Sequence, residues 1–242
     1  MADAPPSASG GSHIRASREV GGTSWPGRGQ NDFAKEDEMH LLQQWILGII
    51  ILLLLGILVI VKKSATGAVL DKPGGNPLVQ LVNIYNLFFL LIVNPLTAIA
   101  LIARRFYALD PTHLTITEPL TVLAVELLGL AMYVSGYLLM AWALVTLGRN
   151  YQLGGSAPRS EDRMITDGPY RLARHPMYTA ALSISLGLAL LTQSWAFLCV
   201  FSVYLALILL LIPVEEERLL KAYGGQYVSY RQKTGKLMFF DR

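Results

Sequence analysis

Two short polar segments in the second half of the 242-residue chain carry the residues best suited to bind a small charged molecule. In the first segment, Arg174 and His175 stand directly before Pro176. Proline suits the first position of a helix, because its missing N–H would be unpaired there in any case. We therefore expect Arg174 and His175 at a helix N-terminus, where a guanidinium and free backbone N–H groups favour a carboxylate or phosphate. The alternative is that Arg174 only anchors the helix at lipid headgroups.

The second polar segment begins with three consecutive acids, Glu215, Glu216 and Glu217. A helix dipole favours acids in its first turn, and Glu217 forms an i,i+4 pair with Lys221, so these acids also have a purely structural explanation. Beside Arg174, however, they would complete a mixed-charge pocket that suits a zwitterion with an additional cation. Tyrosines near both segments could form the aromatic roof of this pocket: Tyr170, Tyr178, Tyr223, Tyr227 and Tyr230.

The rest of the chain is dominated by long stretches without charge. Hydrophobic residues make up 53% of the chain and charged residues only 15%, which is well below their share in a soluble domain. A helix needs roughly 20 mostly apolar residues to cross a bilayer core. Four stretches are long enough, namely 41–61, 78–103, 120–147 and 176–214.

The last stretch is too long for a single crossing, and a polar pair at 193–194 divides it. It therefore predicts a helical hairpin with arms at about 177–191 and 195–213. The sequence as a whole predicts an all-α integral membrane protein with about five transmembrane helices. Three of them lie in 41–147, and the other two belong to a core, 148–242, that ends in a cytoplasmic C-terminal helix and tail.

The hairpin decides where the two polar segments lie. The first arm begins and the second arm ends on the same side of the membrane. The segments 148–175 and 215–242, which flank the hairpin, should therefore meet in space. Positive residues near membrane helices are retained in the cytoplasm, and their distribution among the connections favours a cytoplasmic position for both segments. Any cofactor site formed between them would then face the cytoplasm. Glu126, near the start of the third apolar stretch, is expected at the headgroup level.

Composition also bears on the N-terminus and on possible partners. The first 40 residues combine Pro, Gly and Ser with mixed charge and are expected to be disordered, with Met39 as an alternative natural start to Met1. The formal net charge is only +3, and the basic residues cluster around apolar spans, so a nucleic-acid partner is not indicated. One cysteine and four scattered histidines do not provide the ligand spacing of a metal site.

Four short motifs follow one another in the second half of the chain. They are Gly148-Arg149-Asn150-Tyr151, then Met164-Ile165-Thr166-Asp167-Gly168-Pro169-Tyr170, then Arg174-His175-Pro176-Met177-Tyr178, then Glu215-Glu216 followed by Leu219, Tyr223-Gly224, Tyr227 and Tyr230. In order and spacing they resemble the integral-membrane methyltransferases typified by isoprenylcysteine carboxyl methyltransferase, to which phospholipid N-methyltransferases are related. The resemblance covers roughly residues 148–239.

This resemblance implies S-adenosylmethionine as the cofactor, bound at the cytoplasmic face between the Arg-His-Pro segment and the glutamates. Arg174 would hold the methionine carboxylate, and His175 would form a hydrogen bond with the same group. Glu215 or Glu216 would accept hydrogen bonds from the ribose hydroxyls or the amino group. These four residues are the polar part of the implied cofactor site.

Three further residues complete the implied site. Tyr170 or Tyr178 would face the sulfonium, where a cation–π contact is favourable. Asn150, at the exit of the third helix, is a candidate for orienting the methyl acceptor, although anchoring of the loop explains it equally well. The candidate catalytic residues are therefore Arg174, Glu216 and Asn150.

The methyl acceptor is expected to be lipid-like or strongly apolar, because the pocket must open between helices into the bilayer. Its reacting group stays open between an isoprenylcysteine-type carboxylate, a phospholipid amine and a thiol. Isoprenylcysteine enzymes usually carry arginine shortly before the Glu-Glu pair, whereas residues 209–214 are uncharged here. Two other functions are kept as alternatives: an NADPH-dependent sterol reductase, which has a similar Arg-His-Pro segment, and a non-catalytic membrane protein with the same fold.

Overall fold

The computed structural model describes residues 43–68, 77–151 and 163–238. The expectations for the first 40 residues, including the choice between Met1 and Met39, lie outside these ranges. In the described ranges, helices joined by short connections make up the fold. The α-helices are α1 (Gln44–Thr66), α2 (Pro77–Phe88), α3 (Asn94–Ile102), α4 (Phe106–Leu109), α5 (Pro119–Leu147), α6 (Pro176–Thr192), α7 (Trp195–Tyr223) and α8 (Gly225–Lys233).

Four helical segments of the described chain are long and apolar enough to cross a membrane. Two of them are α1 and α7, and a third is Pro77–Ile102, in which a π-helical turn joins α2 to α3. The fourth is Pro119–Asn150, which consists of α5 and a short 3-10 turn. The prediction of an all-α integral membrane protein is confirmed. The remaining predicted crossing corresponds to α6, which is apolar but has only 17 residues.

Helix α6 is enclosed by its neighbours, and most of its residues are buried. Glycines allow α5 and α6 to approach closely. A Cβ atom added to Gly187 would lie 2.6 Å from the backbone nitrogen of Tyr133, and one added to Gly136 would lie 2.8 Å from Cγ1 of Ile184. Because α6 is covered by protein along its length, it does not need the length of a lipid-exposed helix.

The hairpin turns at Gln193, whose φ of 49° is left-handed, and the predicted division of the apolar stretch is confirmed at this point. The connection before α5 packs on the turn. The Leu114 N–H donates to the Gln193 carbonyl at 2.7 Å, and the Trp195 N–H donates to the Thr112 carbonyl at 3.1 Å. Glu126, which was expected at the headgroup level, is buried and accepts a hydrogen bond from Gln193 Nε2 at 3.3 Å.

Helix α7 differs from its prediction at its C-terminal end. The second arm of the hairpin was expected to end near Pro213, with a separate helix behind it, but α7 continues through this proline to Tyr223. A proline removes one backbone hydrogen bond, whereas ending the helix in apolar surroundings would leave several backbone groups unpaired. As a consequence, Glu215 and Glu216 belong to the same continuous helix as the last apolar span.

Candidate active site

The two polar segments meet, as the hairpin predicted. Nε and Nη2 of Arg174 both lie 2.8 Å from Oε1 of Glu216. The two side chains are only 5% and 7% exposed. A buried charge is stable only when it is paired and hydrogen-bonded, so each of these residues requires the other.

Arg174 also fixes the chain that follows α8. Its Nη1 atom donates hydrogen bonds to the carbonyl oxygens of Arg231, at 3.2 Å, and Thr234. The backbone continues this contact, because the Arg174 N–H donates to the Gly235 carbonyl at 2.8 Å and the His175 N–H donates to the Lys236 carbonyl at 3.0 Å. All three nitrogens of the guanidinium therefore contact protein oxygens, and binding of a ligand carboxylate by Arg174 stays a prediction.

His175 lies between the two glutamates. Its ring stacks on that of Tyr178, with centroids 5.5 Å apart and planes inclined by 18°. Nδ1 is 3.8 Å from Oε2 of Glu215, and Nε2 is 3.5 Å from Oε1 of Glu216, without hydrogen-bond geometry at Nε2. The imidazole is thus buried among acceptors and keeps hydrogen-bonding capacity at Nε2.

Glu215 has a different setting from its neighbour Glu216. Its side chain is 20% exposed and lines a large cavity formed by the described residues. The hydroxyl of Tyr178 donates to its Oε2 at 2.7 Å. Of the two adjacent acids, Glu215 presents its carboxylate to the cavity, while Glu216 is engaged by Arg174.

The cavity has a volume of about 380 Å³ and is lined by both polar and apolar side chains. Most of the predicted site residues line it, including Asn150 near the end of α5. The sequence-based reasoning missed its other walls, which come from α1 and α2. The residues of these walls are Leu58, Val59 and Lys62 of α1, Asn83, Ile84, Asn86 and Leu87 of α2, and Phe89, Leu90 and Leu91 of the π-helical turn that follows α2. No sequence motif marks these walls. Lys62, the charged residue that follows the first apolar stretch, is the one residue whose type could have indicated that α1 contributes to the site.

The five tyrosines that were predicted to cover the site all line the cavity. The Tyr230 hydroxyl donates to the Tyr170 carbonyl at 2.6 Å. The Tyr227 hydroxyl is buried and has no hydrogen-bond partner in the described chain. Burial raises the pKa of both Tyr227 and Tyr230 above the usual value of a phenol. Both side chains are therefore neutral hydrogen-bonding groups near neutral pH.

Comparison with known proteins agrees with the motifs. Residues 125–226 match the model of the phospholipid methyltransferase family. Protein-S-isoprenylcysteine O-methyltransferase B of Arabidopsis thaliana is 32% identical over 108 residues, which are 44% of this chain and 55% of that protein. The cobalt-zinc-cadmium resistance protein CzcN of Cupriavidus metallidurans is 32% identical over 100 residues, which are 41% of this chain and 45% of that protein.

Among solved structures, the chain is similar to the eukaryotic intramembrane Ras methyltransferase ICMT, with a TM-score of 0.43 and 20% identity over 75% of this chain and 72% of that one. The described residues form a bundle of apolar, membrane-type helices with a cavity lined by polar and apolar side chains. Segment 125–226 of the chain matches the model of the phospholipid methyltransferase family, and the resemblance inferred from the motifs is confirmed. The matched segments span about half the length of the two relatives compared above.

Proposed function

We propose that this protein is an integral-membrane methyltransferase that uses S-adenosylmethionine and methylates a lipid-like or apolar acceptor. The observation that carries the proposal is the single cavity that joins the group Glu215, His175 and Tyr178 to the apolar walls of α1 and α2. Such a cavity can hold a charged donor and an apolar acceptor side by side. The match of 125–226 to a methyltransferase family supports the same reaction.

The residues at the polar end fit the chemistry of this donor, which is a zwitterion with an additional sulfonium charge. The carboxylate of Glu215 suits an ammonium or ribose hydroxyl, and the ring of Tyr170 or Tyr178 suits the sulfonium. Two buried polar atoms that have no hydrogen-bond partner among the described residues, Nε2 of His175 and the hydroxyl of Tyr227, offer further hydrogen bonds. The cavity volume also lies within the range of about 300–1,000 Å³ that is typical of small-molecule sites.

In the proposed site, Arg174 contributes positive charge near the donor carboxylate, and Glu216 sets the orientation of the guanidinium. S-adenosylmethionine supplies the methyl group from its sulfonium. The protein has to align the acceptor with that methyl group and exclude water, and such positioning can account for much of the rate. Asn150, which lines the cavity at the end of α5, is proposed to orient the acceptor. A carboxylate acceptor needs no base, whereas an ammonium or thiol must first lose a proton.

The cofactor end of the cavity is proposed to face the cytoplasm. Lys62, near the end of α1, and Arg163 and Arg174, before the start of α6, line this cavity, and Nε of Arg231 lies 3.9 Å from Oε2 of Glu216. Basic residues next to membrane helices favour a cytoplasmic location. Labelling of single cysteines introduced at Lys63 and at Thr112 in intact cells would test this orientation, because the two positions belong to opposite ends of the helix bundle.

The direct test is isothermal titration of S-adenosylmethionine into the purified protein in lipid nanodiscs, with NADPH titrated in parallel. We expect binding of S-adenosylmethionine by the wild-type protein and by Glu217→Gln, and a loss of at least about tenfold in affinity in Glu215→Gln. Binding of NADPH alone would favour a reductase, and binding of neither would favour a non-catalytic protein. Transfer of a labelled methyl group to extracted lipids, absent in Glu215→Gln, would then identify the acceptor by mass spectrometry.

A further inference from the structure

A fully buried polar side chain lies inside the second apolar span, Pro77–Ile102. Asn94 is 0% exposed and directly follows the π-helical turn Phe89–Val93. Its Nδ2 group donates to the Phe89 carbonyl at 2.9 Å, and its backbone N–H donates to the same oxygen. On α5, the hydroxyl of Tyr133 donates to Oδ1 of Asn94 at 2.7 Å. Polar side chains are costly inside a membrane and commonly have a function there.

The π-helical turn that Asn94 contacts has a local cause. Pro95 follows Asn94 and lacks the N–H that an α-helix directs to the carbonyl four residues earlier, which here belongs to Leu91. The helix is wider at this point, and Asn94 binds the carbonyl of Phe89, where the turn begins. The amide of Asn94 therefore holds the backbone in its wider form.

The same turn forms one wall of the cavity. All three residues at its start, Phe89, Leu90 and Leu91, line the cavity. The ring of Phe89 stacks on that of Tyr85 with centroids 5.8 Å apart, and Tyr85 stacks on Tyr204 of α7 with centroids 4.3 Å apart. Tyr204 lines the cavity as well. The backbone that Asn94 holds thus carries the first ring of an aromatic row beside the cavity.

The helix on the other side of the turn has no room to move. Helix α3 lies close to α1, because a Cβ atom added to Gly48 would lie 2.5 Å from the Ala98 carbonyl oxygen and 2.7 Å from Cγ1 of Ile102. A change of one residue per turn rotates a helix by about 100°. Since α3 is fixed against α1, tightening of the turn would displace the cavity wall rather than α3.

We propose that Asn94 is a positioning residue that sets this apolar wall and thereby selects the length of the chain that the cavity accepts. It acts through the Phe89 carbonyl and is oriented by Tyr133. The inference rests on the proposed function, because the chain would belong to the methyl acceptor. Asn94 lies outside the segment 125–226, so the family match assigns it no role.

The test compares decanol and hexadecanol, two uncharged probes that differ only in chain length. Their apparent affinities are measured from the thermal unfolding of the purified protein in lipid nanodiscs. Asn94→Leu should change the ratio of the two affinities by at least about fourfold, which corresponds to the contact of one methylene group. Tyr133→Phe should change it in the same direction by less, and adding Tyr133→Phe to Asn94→Leu should have no further effect. Partition of the alcohols into lipid is equal for all variants and cancels.

Ser135→Ala is the matched control, because it also removes a hydroxyl from α5, on an exposed side chain that donates to the Met132 carbonyl at 3.2 Å. It should keep the wild-type ratio. An unchanged ratio in Asn94→Leu would overturn the proposal even if the variant unfolds at a lower temperature, because a purely structural residue has that effect. An equal change in Ser135→Ala, or a wild-type protein that binds neither alcohol, would also overturn it.

Two additions keep the outcome unambiguous. If Asn94→Leu does not fold, the ratio in Tyr133→Phe decides in its place. Titration of S-adenosylmethionine on the same samples separates this proposal from the proposed function. A wild-type protein that binds no donor refutes the methyltransferase, whereas donor binding with an unchanged ratio of the alcohols refutes only the role of Asn94.

Discussion

Arg174 and Glu216 are joined by two contacts of 2.8 Å onto the same carboxylate oxygen, in a place where both side chains are almost fully buried. The pair connects the start of α6 to the last third of α7. Because Arg174 also binds the carbonyls of Arg231 and Thr234, the same guanidinium holds three parts of the chain together. Loss of either charge should therefore affect folding as well as binding.

Glu216→Gln should lower the free energy of unfolding by about 3–5 kcal/mol, because it leaves the Arg174 charge buried without its partner. The double variant Arg174→Met with Glu216→Leu should be less destabilised than the sum of the two single variants. Unfolding in mixed micelles with increasing SDS measures these differences. Additive effects in the double variant would contradict a direct interaction.

The three consecutive glutamates should respond differently to the same substitution. Glu215 lines the cavity, Glu216 is paired with Arg174, and Glu217 is exposed and bound to Lys221 at 2.6 Å. Glu215→Gln should lower donor affinity with little loss of stability, and Glu216→Gln should lower stability. Glu217→Gln should change neither, since exposed ion pairs contribute little. Titration and unfolding of all three variants check this, and a loss of donor affinity in Glu217→Gln would reject the assignment.

Gly187→Ala should destabilise the protein by about 1–3 kcal/mol, because the new Cβ atom would lie 2.6 Å from the backbone nitrogen of Tyr133. Gly56→Ala on α1 is the control, since a Cβ atom there has no neighbour within 4 Å. This variant should be as stable as the wild-type protein or slightly more stable. Equal effects of the two substitutions would show that close packing of α5 and α6 is not required.

Tyr227→Phe should lower the affinity for the donor without lowering stability. Its hydroxyl is buried and has no hydrogen-bond partner in the part of the chain that the structure describes, so its removal should cost the ligand-free protein no hydrogen bond. Calorimetric titration and SDS unfolding of this variant give both quantities. A loss of stability equal to that of a buried hydrogen bond would instead assign the hydroxyl a partner within the protein.

Alkaline pH should destabilise the protein through Tyr230. Burial raises its pKa above the usual value of 10.0, an effect that the nearby charge of Arg174 partly opposes. Because the folded state disfavours the phenolate, the stability that the neutral Tyr230 side chain contributes is complete below about pH 10 and is lost as the pH rises further. Tyr230→Phe should therefore lose less stability than the wild-type protein between about pH 9 and pH 11. Parallel alkaline unfolding profiles of the two proteins would contradict this.

The sequence was sufficient to predict which segments meet, because the two arms of a hairpin must return to the same side. It could not predict that Glu215 lines the cavity while Glu216 pairs with Arg174. Consecutive residues of a helix differ by about 100° in direction, so their roles depend on the rotation of α7, which continues through Pro213 instead of ending there. The walls from α1 and α2 were missed for a related reason. The position of Lys62 in the cavity follows from helix packing and from no local motif.

The proline within α7 also has a mechanical consequence. A helix that lacks one backbone hydrogen bond bends most easily at that point, and Pro213 lies only two residues before Glu215. The far end of α7 is fixed by the contact between Trp195 and Thr112, whereas Glu216 is fixed by Arg174. The Glu215 carboxylate, which lines the cavity, therefore lies next to the point where α7 bends most easily, between two parts of the helix that are held in place by contacts.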